Sequence, residues 1–280
     1  MTTETLATPQ RAAFDPYAPA PQTAAVHFLY RLNPLAKLAG PLPAMVLLVF
    51  VRDLATPVAF LALAYVLLLV GARLTWRTAA LLFLGIPLAV AVLGFSLSLW
   101  TDASRVDHSV VVLQAGDWVL YGQALAVGFG TALRLAAILA LSLIPGLTTT
   151  GPDLVRSLIQ QLRVPYRIGY TAMAAFRFVP RFRHELDVIR AAHRVRGAHG
   201  GRGPFAVLAR GFGYVVPLLA GAIRHAERVA LAMDARAFGA YPTRTERYPV
   251  PFRGRDAVFI GMLWLVSAVL FALWFPWSPA

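Results

Sequence analysis

Residues 78–100 read TAALLFLGIPLAVAVLGFSLSLW, a stretch without a single charged side chain. A hydrocarbon core needs roughly 20 apolar residues in a helix, so this segment alone is long enough to cross one. Residues 55–71 and 257–277 are likewise free of charge and read as spans. Two further segments have the same character with interruptions. Residues 35–51 hold Lys37, Pro41 and Pro43, and residues 118–146 hold Arg134 deep inside. Composition agrees: 58% of the 280 residues are hydrophobic and 14% are charged, well below the charged quarter of a soluble domain. The fold class expected is all-α, a polytopic membrane protein with about five transmembrane helices.

The remaining charge is distributed unevenly. Residues 147–256 hold 18 arginines against seven acidic groups, most of the chain's net +13. Basic loops resist translocation. With the N-terminus inside, every basic residue except Arg52, Arg105 and Arg134 falls on the cytoplasmic side, and the loop 101–117 outside carries Asp102, Asp107 and Asp117 against Arg105. The expected organisation is a disordered cytoplasmic tail over 1–25, a four-helix membrane region over 26–146, a cytoplasmic module over 147–255 and a C-terminal transmembrane helix over 256–280. The N-terminus is expected to be cytoplasmic and the C-terminus external. The tail is rich in Pro, Thr and Ala and lacks the basic start and apolar core of a signal peptide.

Within the arginine-rich region, turn and cap residues Thr148 to Asp153 precede Leu154, Val155, Leu158, Ile159 and Leu162 at helical spacing, which makes a short amphipathic helix. Pro165 starts a longer helical run that Pro180 is expected to bend or break. Arg196 and Gly197 close it, arginine suiting the negative end of the helix dipole and glycine the C-terminal stop. A second long stretch runs from Phe205 to about Phe238 and ends alike, with Arg236 just before Ala237, Phe238 and Gly239. Any one such arginine fits a solvated or lipid-phosphate-facing surface. A matched pair of ends fits two similar receptors, because the planar guanidinium bonds two carboxylate oxygens at once. Asp187 with Arg190 or Arg194, and Glu227 with Arg224 or Arg228, stand at helix-neighbour spacing and read as intramodule salt bridges.

These residues resemble the transmembrane T component of energy-coupling factor transporters, ABC-type importers of vitamins and of cobalt or nickel ions. The resemblance runs through Leu32-Asn33-Pro34-Leu35-Ala36-Lys37-Leu38, where the family usually has Asp at the Asn33 position, then Leu147-Thr148-Thr149-Thr150, Leu162-Arg163-Val164-Pro165, Phe176-Arg177-Phe178-Val179-Pro180 and Arg196-Gly197. The family's Ala-Arg-Gly signature is matched by Ala235-Arg236 and departs at Ala237; the first departs at Val195, where Ala is usual. The resemblance implies one short and two long crossing coupling helices. Arg194, Arg196 and Gly197 on one, and Ala235, Arg236 and Ala237 on the other, would contact two ATP-binding subunits, or one fused ATPase chain. It also implies a substrate-binding S-type membrane subunit as partner, membrane lipid around the spans, and a bacterial or archaeal cell membrane as the location.

Several function classes are excluded. Without cysteine there is no disulfide framework, thiol nucleophile or cysteine-held cluster. Lys37 is the chain's single lysine and stands at a span start, so no conventional phosphate loop exists and transport energy is expected from partners or an ion gradient; the resemblance implies that ATP is bound by partner subunits. The six histidines form no HExxH pair, so neither a metal site nor any cofactor is expected. No soluble basic domain with interleaved aromatics stands apart to bind nucleic acid. The chain is therefore read as non-enzymatic. The alternatives are a polytopic enzyme acting on phospholipid headgroups, which needs a carboxylate or histidine cluster, and an ion-coupled carrier, which needs midplane acids. Arg134 is the one charge within a span; a structural anchor on carbonyls and a contact to a partner subunit both fit it.

Overall fold

The computed structural model describes residues 27–101, 111–115, 118–196, 204–246 and 248–274. The expected tail over 1–25 lies outside the described residues. The described residues divide into two compact units: one lies within Gln22–Ser157 and Val250–Ala280, the other within Leu158–Pro249.

The first unit is built from apolar helices. A 3-10 turn, Phe28–Arg31, leads into α1 (Pro34–Ala39) and α2 (Leu42–Leu48), parted at Gly40 and Pro41. Then come α3 (Ala55–Gly71), α4 (Trp76–Ala80), a π-helical turn (Leu81–Gly85) and α5 (Ile86–Trp100). After these follow α6 (Gly122–Thr148) and, at the chain's far end, α10 (Gly254–Trp274). Among the described residues, three helical runs have the length and composition to cross a membrane: Trp76–Trp100, Gly122–Thr148 and Gly254–Trp274. The other two apolar segments are shorter, Pro34–Leu48 and Ala55–Gly71, the latter 17 residues. That is roughly 25 Å of helix at 1.5 Å per residue. The protein is thus a helical, polytopic membrane protein.

One expectation is corrected here. Residues 118–121 do not belong to a span: Trp118–Tyr121 (β2) pairs antiparallel with Val111–Ala115 (β1), and α6 starts only at Gly122. Valines and aromatics favour the pleated backbone that these two strands adopt.

Small residues set the helix spacing. A Cβ added at Gly128 of α6 would lie 2.3 Å from the Ser98 hydroxyl and 2.6 Å from the Gly94 carbonyl of α5. Only a glycine permits that approach, the arrangement by which membrane helices gain packing where no hydrophobic force drives them together. Phe60, Ala64 and Leu68 of α3 meet Ala137, Ala140, Leu141 and Ile144 of α6 in the buried core. The Phe60 ring meets Phe271 of α10 at 4.9 Å, tilted by 44°. Outward faces stay apolar, with Leu84, Leu88, Val258 and Leu265 all exposed. Water would oppose such a surface; lipid does not.

A buried polar cluster ties the unit's sequence-distant ends together. The Asp256 carboxylate, 1% exposed, accepts hydrogen bonds from the backbone N–H of Asn33 at 2.8 Å and of Arg253 at 2.7 Å. The Asn33 side-chain oxygen caps α1 through the Leu35 N–H, while its amide donates to the Val250 and Pro251 carbonyls. An aspartate here would lose that donor and set a second carboxylate beside Asp256, so asparagine suits this neighbourhood. Lys37, 2% exposed, donates to the Thr148 carbonyl at the end of α6 at 2.8 Å. A cation at a helix C-terminus offsets the partial negative charge there.

The second unit takes in the end of α7 (Gly151–Gln161) and the two long helices α8 (Tyr166–Val195) and α9 (Pro204–Asp234). Of the bend or break expected at Pro180, a break does not occur: α8 runs through it continuously. The carbonyl that Pro180 leaves without its helical partner belongs to Phe176, in an exposed stretch where water can serve it.

Candidate functional site: the arginine-bearing helix ends

The crossing of α8 and α9 takes the form of an extended antiparallel pairing. Contacts recur along it: His193 edge-on to Tyr214 at 5.2 Å, Glu185 against the backbone of Gly221, Phe178 edge-on to His225 at 4.6 Å, and Tyr166 and Tyr170 edge-on to Phe238. As the residue number falls on α8 it rises on α9. The C-terminal ends of the two helices therefore lie at opposite ends of the pair, on the order of 40 Å apart along the axis at 1.5 Å per residue. His225 is held below the ordinary imidazole value, first by desolvation and then by the neighbouring charges of Arg181 and Arg228, with Glu185 opposing them.

At the α8 end, Arg194 lies in the last turn and Arg196 is the cap residue, its N–H returning to the Ala192 carbonyl at 3.1 Å. Both side chains are exposed, and Val195 between them is 89% exposed. Gly197 lies outside the described residues. Asp187 pairs with Arg190 at 3.4 Å, whereas no ion pair joins Glu227 to Arg224 or Arg228 among the described residues.

At the α9 end the backbone closes in a defined cap. The Phe238 N–H donates to the Met233 carbonyl at 3.0 Å and the Ala237 N–H to the Asp234 carbonyl at 2.9 Å, the paired bonds of a Schellman motif. In that motif the residue after the cap adopts a left-handed conformation, and Ala237 does so with φ +53°. A glycine there has no Cβ to clash, which gives the Ala-Arg-Gly signature its physical reason. Gly239, at φ +91°, supplies a second left-handed turn. Ala235 and Arg236 sit exposed on the turn between helix and cap.

The root of α8 holds this end in place, which sequence reading missed. The Tyr166 hydroxyl donates to the Tyr241 carbonyl at 2.6 Å, the Arg167 guanidinium to the Gly239 carbonyl, and the Tyr170 hydroxyl to the Glu246 carboxylate at 2.9 Å. Arg244 lies over the Tyr170 ring at 4.4 Å. Tyr166, Tyr170, Tyr241 and Arg244 line, with Arg228 and Arg236, a groove of about 950 Å³. Nothing in the one-dimensional pattern joins residues 166–170 to 238–246; only the antiparallel pairing does.

Arg134 belongs to the other unit. Its guanidinium donates to the carbonyls of Val49 at 3.0 Å and Val51 at 2.9 Å, and to the Thr131 hydroxyl at 3.3 Å. It therefore caps the end of α2, serving carbonyls that the helix leaves open.

The arrangement presents two like-charged, arginine-tipped helix ends at opposite ends of one helix pair. The sequence pattern of the family CbiQ, described as cobalt transport protein, matches residues 25–247. The chain belongs to the CbiQ family. Among relatives of this CbiQ-family chain, the energy-coupling factor transporter transmembrane protein EcfT of Bacillus subtilis is 27% identical over 171 residues. That match covers 58% of this chain and 64% of the relative, just under two thirds of its length. The protein of the same name from Limosilactobacillus fermentum is 26% identical over 258 residues, 87% of this chain and 92% of the relative. A putative ABC transporter ATP-binding protein of Bifidobacterium longum is 28% identical over 254 residues, which is 88% of this chain and 32% of that longer protein. The expected resemblance to the T component of energy-coupling factor transporters thus agrees with the names of these relatives.

Proposed function

We propose that this CbiQ-family chain is the T component of an energy-coupling factor importer, a non-catalytic scaffold that passes motion from ATP-binding partners to a substrate-binding membrane subunit. The observation that carries this reading is the placement of two exposed, arginine-bearing helix C-termini at opposite ends of one antiparallel pair. Two receptors of one kind can engage such a device at once. A guanidinium at each negative helix end is suited to a cleft lined with carboxylates.

In this mechanism Arg194 and Arg196 seat the α8 tip in one ATP-binding subunit and Arg236 seats the α9 tip in the other, Ala235 and Ala237 shaping the turn that presents it. Closure of the paired ATPases around ATP brings the two receptors together, and the rigid pair transmits that displacement. The apolar faces of α5 and α10 contact lipid and the S-type subunit, whose own pocket selects the cargo, a vitamin or a transition-metal ion. The ATP-binding protein whose segment matches this chain supports a fused or separate ATPase partner equally. The charge distribution supports a cytoplasmic N-terminus and module and an external C-terminus in a bacterial or archaeal cell membrane.

The test is capture of ATP-binding subunits from the native membrane. Arg196→Glu combined with Arg236→Glu is expected to abolish it, since breaking a desolvated charge pair costs roughly 2 to 5 kcal/mol at each site. Undiminished capture by the double variant, with the chain still folded, rejects the roles assigned to both tips.

A further inference from the structure

A second cleft lies on the other side of Tyr166 and Tyr241 from the Arg236 groove. It has a volume of about 600 Å³ and is walled by Gln160, Arg163, Tyr166, Arg167, Tyr241 and Arg244. Its acid, Glu246, is engaged by the Tyr170 hydroxyl. Arg163 lines this cleft, and Arg244, whose guanidinium lies over the Tyr170 and Phe238 rings, stands where the cleft meets the Arg236 groove. A guanidinium carries five N–H donors, and a ring face uses none of them.

The surroundings are apolar where water would prefer otherwise. Leu162, directly before Arg163, is 62% exposed, and Ile168, one turn into α8, is 63% exposed. Leucine, valine and isoleucine at 154, 155, 158, 159 and 162 give α7 one apolar side, with Arg156, Ser157, Gln160 and Gln161 as its polar residues. A cationic cleft flanked by exposed aliphatic side chains at the end of an amphipathic helix is the composition of a membrane-interface site. Arg163 sits at φ +53°, the left-handed turn that ends α7, with the Leu162 and Val164 N–H groups both returning to the Leu158 carbonyl.

We propose that this cleft binds the headgroup phosphate of an anionic phospholipid, Arg163 and Arg244 donating to its oxygens while Leu162 and Ile168 rest against the glycerol and upper acyl region. An acidic protein partner would satisfy the arginines and leave the aliphatic flank uncovered, whereas a lipid satisfies both. The cleft shares Tyr166, Tyr241, Thr243 and Arg244 with the Arg236 groove, whereas Arg163 lines this cleft alone and Arg236 the groove alone; lipid binding at Arg163 does not depend on the coupling role proposed for Arg236.

The test uses the full chain purified in detergent, with phosphatidylglycerol and phosphatidylcholine titrated in and retained lipid counted by native mass spectrometry. Arg163→Gly removes the guanidinium while suiting the left-handed backbone, so folding is preserved. It and Arg244→Gln are each expected to weaken phosphatidylglycerol retention about fivefold, the fold-change of roughly one arginine at a charged membrane surface, with phosphatidylcholine unaffected. Arg236→Gln, outside this cleft, is expected to retain the anionic lipid as the parent chain does. Unchanged retention in both cleft variants overturns the proposal. So does an equal loss in Arg236→Gln, which would mean a diffuse basic field, and so does a polyglutamate peptide whose binding, unlike the lipid's, is lost in Arg163→Gly.

Discussion

Two single residues show how closely local chemistry is set. Ala237 occupies a left-handed position in a Schellman cap, where an L side chain costs about 1 kcal/mol relative to glycine. Ala237→Gly is therefore expected to raise stability by about that amount in thermal unfolding of the purified chain, without loss of partner capture; a lowered melting temperature would show that the cap is not formed as described. Arg134 makes the opposite case. Its guanidinium serves the Val49 and Val51 carbonyls, so Arg134→Leu removes charge-assisted bonds worth about 1.5 to 3 kcal/mol each. Amide hydrogen exchange is expected to accelerate over residues 45–54 and to stay unchanged over 204–246; equal protection throughout would leave Arg134 free for a partner-facing role. The sequence marked both positions, the first as a departure from a family signature and the second as a charge within a span. The partners across the fold, 83 and 85 residues away, were not legible because no periodicity links them.

At the scale of the elements, apolar runs identified the helices well, since a helix in lipid must satisfy its own backbone and so advertises itself by composition alone. The four residues ahead of α6 were misassigned because a short apolar run has the same composition in strand and helix. Glycines in the apolar helices were legible only as permissive. The structure selects Gly128 and Gly94 as the pair where α5 and α6 touch, through a distance that no added Cβ tolerates. Gly128→Leu is expected to force these helices apart and to destabilise the protein by about 1 to 3 kcal/mol or more, measured as lost monodisperse yield and a lowered melting temperature in detergent. Gly146→Leu, where an added Cβ meets nothing within 4 Å, is the matched control and is expected to be tolerated.

For the whole molecule, the antiparallel pairing of α8 and α9 turns one repeated sequence ending into two separated contact points. If each tip serves one receptor, reversal of a single tip removes one partner and spares the other. Arg236→Glu alone is expected to lower the number of ATP-binding domains captured per chain from two to one, read by quantitative mass spectrometry of the complex. Loss of both at once would mean that the receptors bind only as a preformed pair, and loss of neither would remove Arg236 from the interface.

Solvent preference is a property of composition, so the sequence by itself determined that this chain lies in a membrane, that its basic region stands apart from its spans, and that two helices end alike in arginine. Tertiary structure alone decided which groups meet: Lys37 with the end of α6, Asn33 with Asp256, Arg134 with the end of α2, and the root of α8 with the tip of α9. Each of these is a directional hydrogen bond or ring contact between residues far apart in the chain. Such contacts depend on where the backbone brings atoms within about 3 Å, and composition and period carry no record of that distance.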